Sequence, residues 1–295
     1  MPTIVSIGEI LFDVYDKEKK IGGAPFNFIY HIIKLSGSGN FISRIGNDGN
    51  GKEIVDFFKE RKISNEYVQI DPEHPTGKAT ANLNENKIPN WVIEENCAYD
   101  FIELTNNVDD LVTNSDCLYF GSLAQRNNVS RQTIQSLFNK DLKFFCDLNI
   151  RQKFYTKEII ENSMKISDVL KINEDELILL NNLFLKEKYN LERSVLKLKE
   201  LFRVDMICVT KGESGSYLFK DDKADYCKAS VENPVDTVGA GDAFAAILCI
   251  GYLNKLSLKE LNKTANDFAG EIVKITGALP DDDSIYDRFR MMVVK

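Results

Sequence analysis

The 295-residue sequence predicts an α/β fold, a mainly parallel central sheet with helices on both faces and a small β-sheet appendage. Three observations carry this expectation. Short apolar runs rich in β-branched and aromatic residues alternate with longer stretches of helical spacing, the order that builds parallel sheets. One region breaks that rhythm with a period of two. No repeat or low-complexity linker divides the chain, so residues 1–295 read as one domain.

Strands are expected at 3–12 ("TIVSIGEILF"), 40–45 ("NFISRI"), 116–120 ("DCLYF"), 143–148 ("KFFCDL"), 168–172 ("DVLKI") and 205–210 ("DMICVT"). The stretches 25–35, 51–61, 129–139, 156–166, 174–183 and 190–202 space their apolar residues as helices do. The exceptional region is 76–104, "TGKATANLNENKIPNWVIEENCAYDFIEL", whose alternation and turn dipeptides predict a small exposed sheet: either a lid over a site or a decorated edge. It holds Trp91, the one tryptophan, and its edges are ones a second subunit could cover.

With 37 basic and 45 acidic residues the formal charge is -8, and its field repels polyanions and acidic membrane surfaces. No run approaches eighteen uninterrupted apolar residues and no basic region precedes the first strand, so a soluble, cytoplasmic protein is expected. The six cysteines are scattered singly, the pattern of reduced core thiols. Two histidines, His31 in a helical pattern and His74 between prolines, read as structural or solvated.

Residues 46–53, "GNDGNGKE", approach the P-loop pattern but place Glu53 where a magnesium-binding hydroxyl belongs, and a capping turn is the better reading. "VDTVGAGDAFAA" at 235–246 has a stronger rationale. Gly239, Ala240 and Gly241 can turn their amides into one concavity at the start of a helix over 241–253, a place for phosphate oxygens. Asp242 falls in the first helical turn, where it either caps the helix or accepts a proton from an attacking hydroxyl in phosphoryl transfer.

"DTVGAGDAF" resembles the C-terminal signature of the ribokinase-like (PfkB) carbohydrate kinases. The resemblance continues in order through "GEILFD" (8–13), "GGAPFN" (22–27), "RIGNDGNGKEI" (44–54), "DLNIR" (147–151), "KINEDE" (171–176), "VTKGESGSYLF" (209–219) and "TGALP" (276–280). It implies a three-layer α/β/α ribokinase-like fold, with lid segments at about 14–23 and 76–104, and an ATP-dependent kinase acting on a sugar hydroxyl. It also implies roles. Asp242 would be the base and the amides of Gly239, Ala240 and Gly241 the anion hole. Asp13, Gly23 and Asn27 would contact the sugar. Asn173 and Glu176 would organise Mg2+ on the ATP phosphates, although "NEDE" equally suits a helix cap. Thr210, Gly212 and Asn266 would line the nucleotide. Arg151 would present a planar cation to phosphate or sugar, or form a surface ion pair. A monovalent cation such as K+ would sit around Asp236 and the "TGA" of 276–278.

Two departures are visible. Ile247 replaces a small residue after the signature, and Phe28 and Ile29 make the N-terminal motif bulky. "GEILFD" with "GGAPFN" looks most like the fructokinase branch, with ribokinase and 2-keto-3-deoxygluconate kinase as alternatives. A non-catalytic sugar sensor on the same fold and a nucleotide binder using Lys52 are the readings of other classes.

Overall fold

A computed structural model describes all residues except 16–17, 84–88, 231–233 and 294–295, so those parts of the two lid segments lie outside the described residues. The strands are β1 (Ile4–Ile7), β2 (Leu11–Val14), β3 (Lys19–Gly22), β4 (Asn40–Gly46), β5 (Val68–Asp71), β6 (Gly77–Leu83), β7 (Pro89–Ile93), β8 (Cys117–Phe120), β9 (Lys143–Asp147), β10 (Val169–Asn173), β11 (Met206–Thr210), β12 (Ser216–Lys220) and β13 (Lys223–Cys227). The α-helices are α1 (Ala24–Ser36), α2 (Gly49–Arg61), α3 (Asn106–Thr113), α4 (Asn128–Ser136), α5 (Lys157–Ile166), α6 (Glu174–Leu180), α7 (Leu191–Phe202), α8 (Ala240–Leu253), α9 (Leu258–Ile272) and α10 (Ser284–Val293).

The main sheet runs β13-β12-β11-β10-β9-β8-β1-β4-β5, parallel from β11 to β5, with β12 and β13 antiparallel at one edge. Alternation along its strands divides two cores. Ile4, Tyr119, Phe145, Val169 and Cys208 join the cluster with α1, α8, α9 and α10, while Val5, Ile7, Leu118, Phe120, Leu170 and Ile172 join the one with α3 to α7. Both faces are covered, which is why these strands read as continuous apolar runs. The three-layer architecture is as expected, and no helix among the described residues is long and apolar enough to cross a membrane.

The stretch expected as one strand at 3–12 is two, in different sheets. Gly8 breaks it at φ 151°, and a Cβ there would lie 2.6 Å from Pro25 Cγ. β2 leaves for the small mixed sheet β3-β2-β6-β7, which therefore begins before residue 14. Residues 98–101 are not strand but a 3₁₀ turn, whose Tyr99 packs in a third cluster with Leu11, Ala79 and Ile93 of the small sheet and Leu123 and Phe154 of the body.

The near P-loop is a cap. Asp48 Oδ1 accepts from the Gly51 amide at 2.7 Å and opens α2, and Lys52 is exposed. β1 lies between β4 and β8, so the chain winds outward both ways from it, and the C-terminal ends of the strands there open onto a cleft.

Candidate active site

The turn before α8 carries Gly239 in the left-handed region, at φ 78°, where glycine pays no Cβ penalty. It packs so tightly on the 276–278 loop that a Cβ would lie 2.6 Å from Ala278 Cα. Asp236 ties the two loops together, its Oδ1 accepting from the Val238 amide at 3.0 Å and its Oδ2 from the Gly277 amide at 2.8 Å. The Ala240 amide makes a long bond, 3.4 Å, to the Thr237 carbonyl. The helix that follows is apolar around most of its circumference because it is sandwiched between α1 and α9, and only its N-terminus meets the cleft.

That N-terminus closes one side of a cavity of about 590 Å³ lined by Glu9, Asp13, Gly23, Asn27, Trp91, Arg151, Lys171, Gly239, Gly241 and Asp242, among others. The half-buried Asp242 accepts from Asn27 Nδ2 at 2.8 Å. Burial raises its pKa to about 7, against the pull of the Asn27 amide and of the Lys171 and Arg151 cations, and Asp147 adds to the rise. Asp13 is pushed up to about 6, by burial first, with Arg151 opposing and Asp236 reinforcing. Arg151 is exposed, on a loop where Asn149 and Gln152 take φ of 43° and 49°.

A second cavity of about 280 Å³ is lined by Thr210, Gly212, Ser216, Thr237, Ala240, Gly241, Phe244 and Asn266. Its lining is mostly apolar, and Asn266 is held in it by Ser216 Oγ at 2.7 Å and the Asn262 carbonyl at 2.8 Å. Thr237 and Gly241 line both cavities, so the helix N-terminus stands where the two meet. The arrangement suits a base-plus-phosphate ligand on one side and a small polar molecule on the other.

Of the residues singled out from sequence, Asp13, Gly23, Asn27, Arg151, Gly239, Gly241 and Asp242 line the first cavity, and Thr210, Gly212, Ala240, Gly241 and Asn266 the second. Asn173 and Glu176 line neither. They form a reciprocal cap on α6: Asn173 Oδ1 accepts from the Glu176 amide and Glu176 Oε2 from the Asn173 amide, both at 2.8 Å. Glu176 Oε1 accepts from the Ile150 amide at 2.6 Å, so this carboxylate also fastens the loop that bears Arg151.

Three cavity residues escaped the sequence reading. Trp91, noticed only as part of the lid, packs edge-on against Tyr15 at 5.3 Å. Lys171 sits in a strand pattern that calls for an apolar residue. Glu9 is 3% exposed, yet its Oε2 has no hydrogen-bond partner among the described residues. Burial raises the Glu9 pKa from 4.5 to about 7, helped by Asp242 and opposed by Arg151 and Arg126.

A carboxyl pKa raised by folding means that the native state keeps a proton which the unfolded chain releases, so stability falls as pH rises from about 4.5 to about 7. Glu9→Gln is therefore expected to stabilise the protein more at pH 8 than at pH 5, by about 2 kcal/mol. Melting curves at the two pH values check this, and an equal gain at both would contradict the assignment.

A family model described as "pfkB family carbohydrate kinase" matches residues 1–284. Fructokinase-2 of Oryza sativa subsp. japonica is 28% identical, over 94% of this chain and 90% of its own length. The crystal structure of an uncharacterized sugar kinase from Pyrococcus horikoshii in complex with ATP superposes with a TM-score of 0.79 at 26% identity, covering 93% of each chain. A fructokinase from Vibrio cholerae, solved with fructose, ADP and a potassium ion, shares the fold with a TM-score of 0.79 at 20% identity, covering 100% of this chain and 99% of its own.

Proposed function

The chain belongs to the pfkB family of carbohydrate kinases, and on that premise we propose that it transfers the γ-phosphoryl group of ATP to a sugar hydroxyl, converting fructose to fructose 6-phosphate. The observation that carries the reading is the junction at Thr237 and Gly241, where a phosphate-suited helix N-terminus stands between both cavities and the raised carboxyl of Asp242 faces the first.

ATP occupies the second cavity, its base among Thr210, Gly212 and Asn266, and its phosphates reach the amides of Gly239, Ala240 and Gly241. The sugar occupies the first cavity against Asp13, Gly23 and Asn27. Glu9 Oε2 and Asn27 Oδ1 are buried oxygens without partners among the described residues, and hydroxyl donors would satisfy them. Asp242 accepts the proton of the attacking hydroxyl as its oxygen bonds to the γ-phosphorus; the bond from phosphorus to the bridging oxygen breaks, and ADP leaves with that electron pair. The amides meet the charge on the migrating phosphoryl group.

Magnesium bound with ATP would neutralise phosphate charge. Two of roughly four acceptor sites on the Glu176 carboxylate are taken by amides, so Asn173 and Glu176 would hold the ion's water shell, the habit of a cation that dehydrates reluctantly. A monovalent cation such as K+ would sit by Asp236 and residues 276–278. The Thr276 carbonyl accepts from the Lys20 ammonium at 3.2 Å, a contact that supports this reading.

The small sheet, whose Trp91 lines the sugar cavity, acts as a lid, and its edge strands β3 and β7 offer a surface for a second subunit. Six free cysteines suit a cytoplasmic setting.

Fructose is favoured by the "GEILFD" and "GGAPFN" pattern and by the name of the rice relative. Arg151 supports a second reading. Exposed and without an ion-pair partner among the described residues, it would meet the carboxylate of a sugar acid such as 2-keto-3-deoxygluconate. An ADP-release assay with magnesium and ATP against fructose, ribose, 2-keto-3-deoxygluconate, tagatose and adenosine decides. Fructose should give the highest kcat/KM; no stimulation by any polyol would favour the sensor.

A further inference from the structure

We propose that Lys171 is a catalytic residue of this site, its ammonium contacting the oxygens of the phosphoryl group in transit beneath the amide of Gly241. The inference rests on the phosphoryl-transfer reading and adds to it a cation contributed by the central sheet.

Lys171 is 6% exposed, at a position of β10 whose pattern points it toward the α8 layer, with Val169 on the same face. Buried lysines are rare because desolvating an ammonium is costly unless it is paired. Here the pair is Asp147, whose Oδ2 accepts from Lys171 Nζ at 2.8 Å and from the Tyr119 hydroxyl at 3.1 Å. An ammonium has three N–H donors, and Asp147 is the only hydrogen-bond acceptor recorded for it among the described residues.

The side chain does not end in the core. Lys171 lines the first cavity with Asp242 and Gly239, and its Nζ would lie 3.4 Å from a Cβ built on Gly241. A cation at a helix N-terminus opposes the helix dipole. That placement costs stability in the empty protein and becomes favourable when an anion arrives between the ammonium and the amides.

If Lys171 only balanced Asp147, a neutral pair in the core would do as well. The position beside Gly241 instead serves a group carrying charge on several oxygens. As the acceptor oxygen bonds to the γ-phosphorus and the bond to the ADP oxygen breaks, Lys171 donates hydrogen bonds to the transferring group and keeps its proton, while the acceptor's proton goes to Asp242.

The test compares wild type with Lys171→Met, the double variant Lys171→Met/Asp147→Asn, and Lys171→Arg. The double variant removes both charges and leaves no buried ion alone. It should show kcat lowered by about 10²-fold or more with sugar KM within about threefold. In the absence of sugar, its preference for a non-hydrolysable ATP analogue over ADP, read by calorimetry, should fall about tenfold. Recovery of kcat to within threefold of wild type, with the affinity ratio unchanged, would reduce Lys171 to a counter-ion and overturn the proposal.

Lys171→Arg keeps the charge opposite Asp147 and covers the case in which the double variant does not melt cooperatively. A contact fixed at one point predicts a kcat loss of about 30-fold or more at a wild-type melting temperature, because the planar guanidinium cannot replace a compact ammonium; full activity overturns the proposal. If wild type turns over no sugar at all, the phosphoryl-transfer reading fails, and the analogue-to-ADP ratio still decides whether Lys171 meets the terminal phosphate.

Discussion

Asp242→Asn is expected to lower kcat by about 10²- to 10⁴-fold while leaving ATP affinity and sugar KM within about threefold. The substitution keeps the size of the side chain and an oxygen able to face Asn27, so the cavity retains its shape. It removes a carboxyl in the first turn of α8, beside Gly241 where the two cavities meet, whose pKa of about 7 suits it to take a proton from a hydroxyl near neutral pH. The loss therefore falls on the step in which the proton moves and not on binding. Steady-state kinetics with nucleotide affinity measured separately check it, and a variant retaining more than a tenth of wild-type kcat would contradict the assignment of Asp242 as base.

The pH profile supplies an independent readout. A base must be ionised to act, so wild-type kcat/KM should rise with pH through about 7 and level off above that value. The residual activity of Asp242→Asn should lack that limb. Glu9 and Asp13, also raised by burial, titrate in the same region, and the limb belongs to the set of carboxyls until the variant isolates Asp242.

The layers of the fold were legible because each central strand is apolar on both faces, a pattern that only a sheet covered twice requires. The break within 3–12 was not, since apolar residues continue through it and the cause, Pro25 pressed against Gly8, lies in another element. "DTVGAGDAF" disclosed the helix N-terminus because its glycines and aspartate are local in sequence. Asp13, Asn27 and Arg151 could be placed by resemblance, although their own types suit ordinary turns and helix starts.

Glu9 and Lys171 were missed for a physical reason. Each sits in or beside a strand as a polar residue in an apolar run, and sequence alone does not tell whether such a residue faces solvent, a partner or a cleft. The misplaced charge in "DVLKI" was the available signal. Asn173 and Glu176 illustrate the converse. A cap and a ligand pair have the same spelling, and the structure displays the cap directly, with the metal role left to the chemistry of the remaining lone pairs.

Gly239→Ala should produce the second large effect: a kcat loss of about 10²- to 10³-fold, accompanied by a fall in stability of about 1–2 kcal/mol from the left-handed backbone alone. The added methyl also meets the 276–278 loop, with Ala278 Cβ 2.3 Å and Cα 2.6 Å from its position. Something must shift, and the loop is held by Asp236, so the strain falls on the turn that aims the amides. Ala278→Gly in the same chain removes the contact at Cβ but neither the one at Cα nor the φ of 78°, so it should restore only part of the stability. Gly241→Ala makes the complementary comparison. Among the described residues its Cβ meets the Lys171 ammonium at 3.4 Å and its φ is not positive, so folding should be preserved while the methyl intrudes where phosphate is proposed to bind. Melting temperature and kcat measured together separate the cases. Loss of stability in Gly239→Ala with kcat unchanged would mean that the turn supports the fold and does not hold the phosphoryl group, and loss of kcat in Gly241→Ala at full stability would place the anion at that helix end.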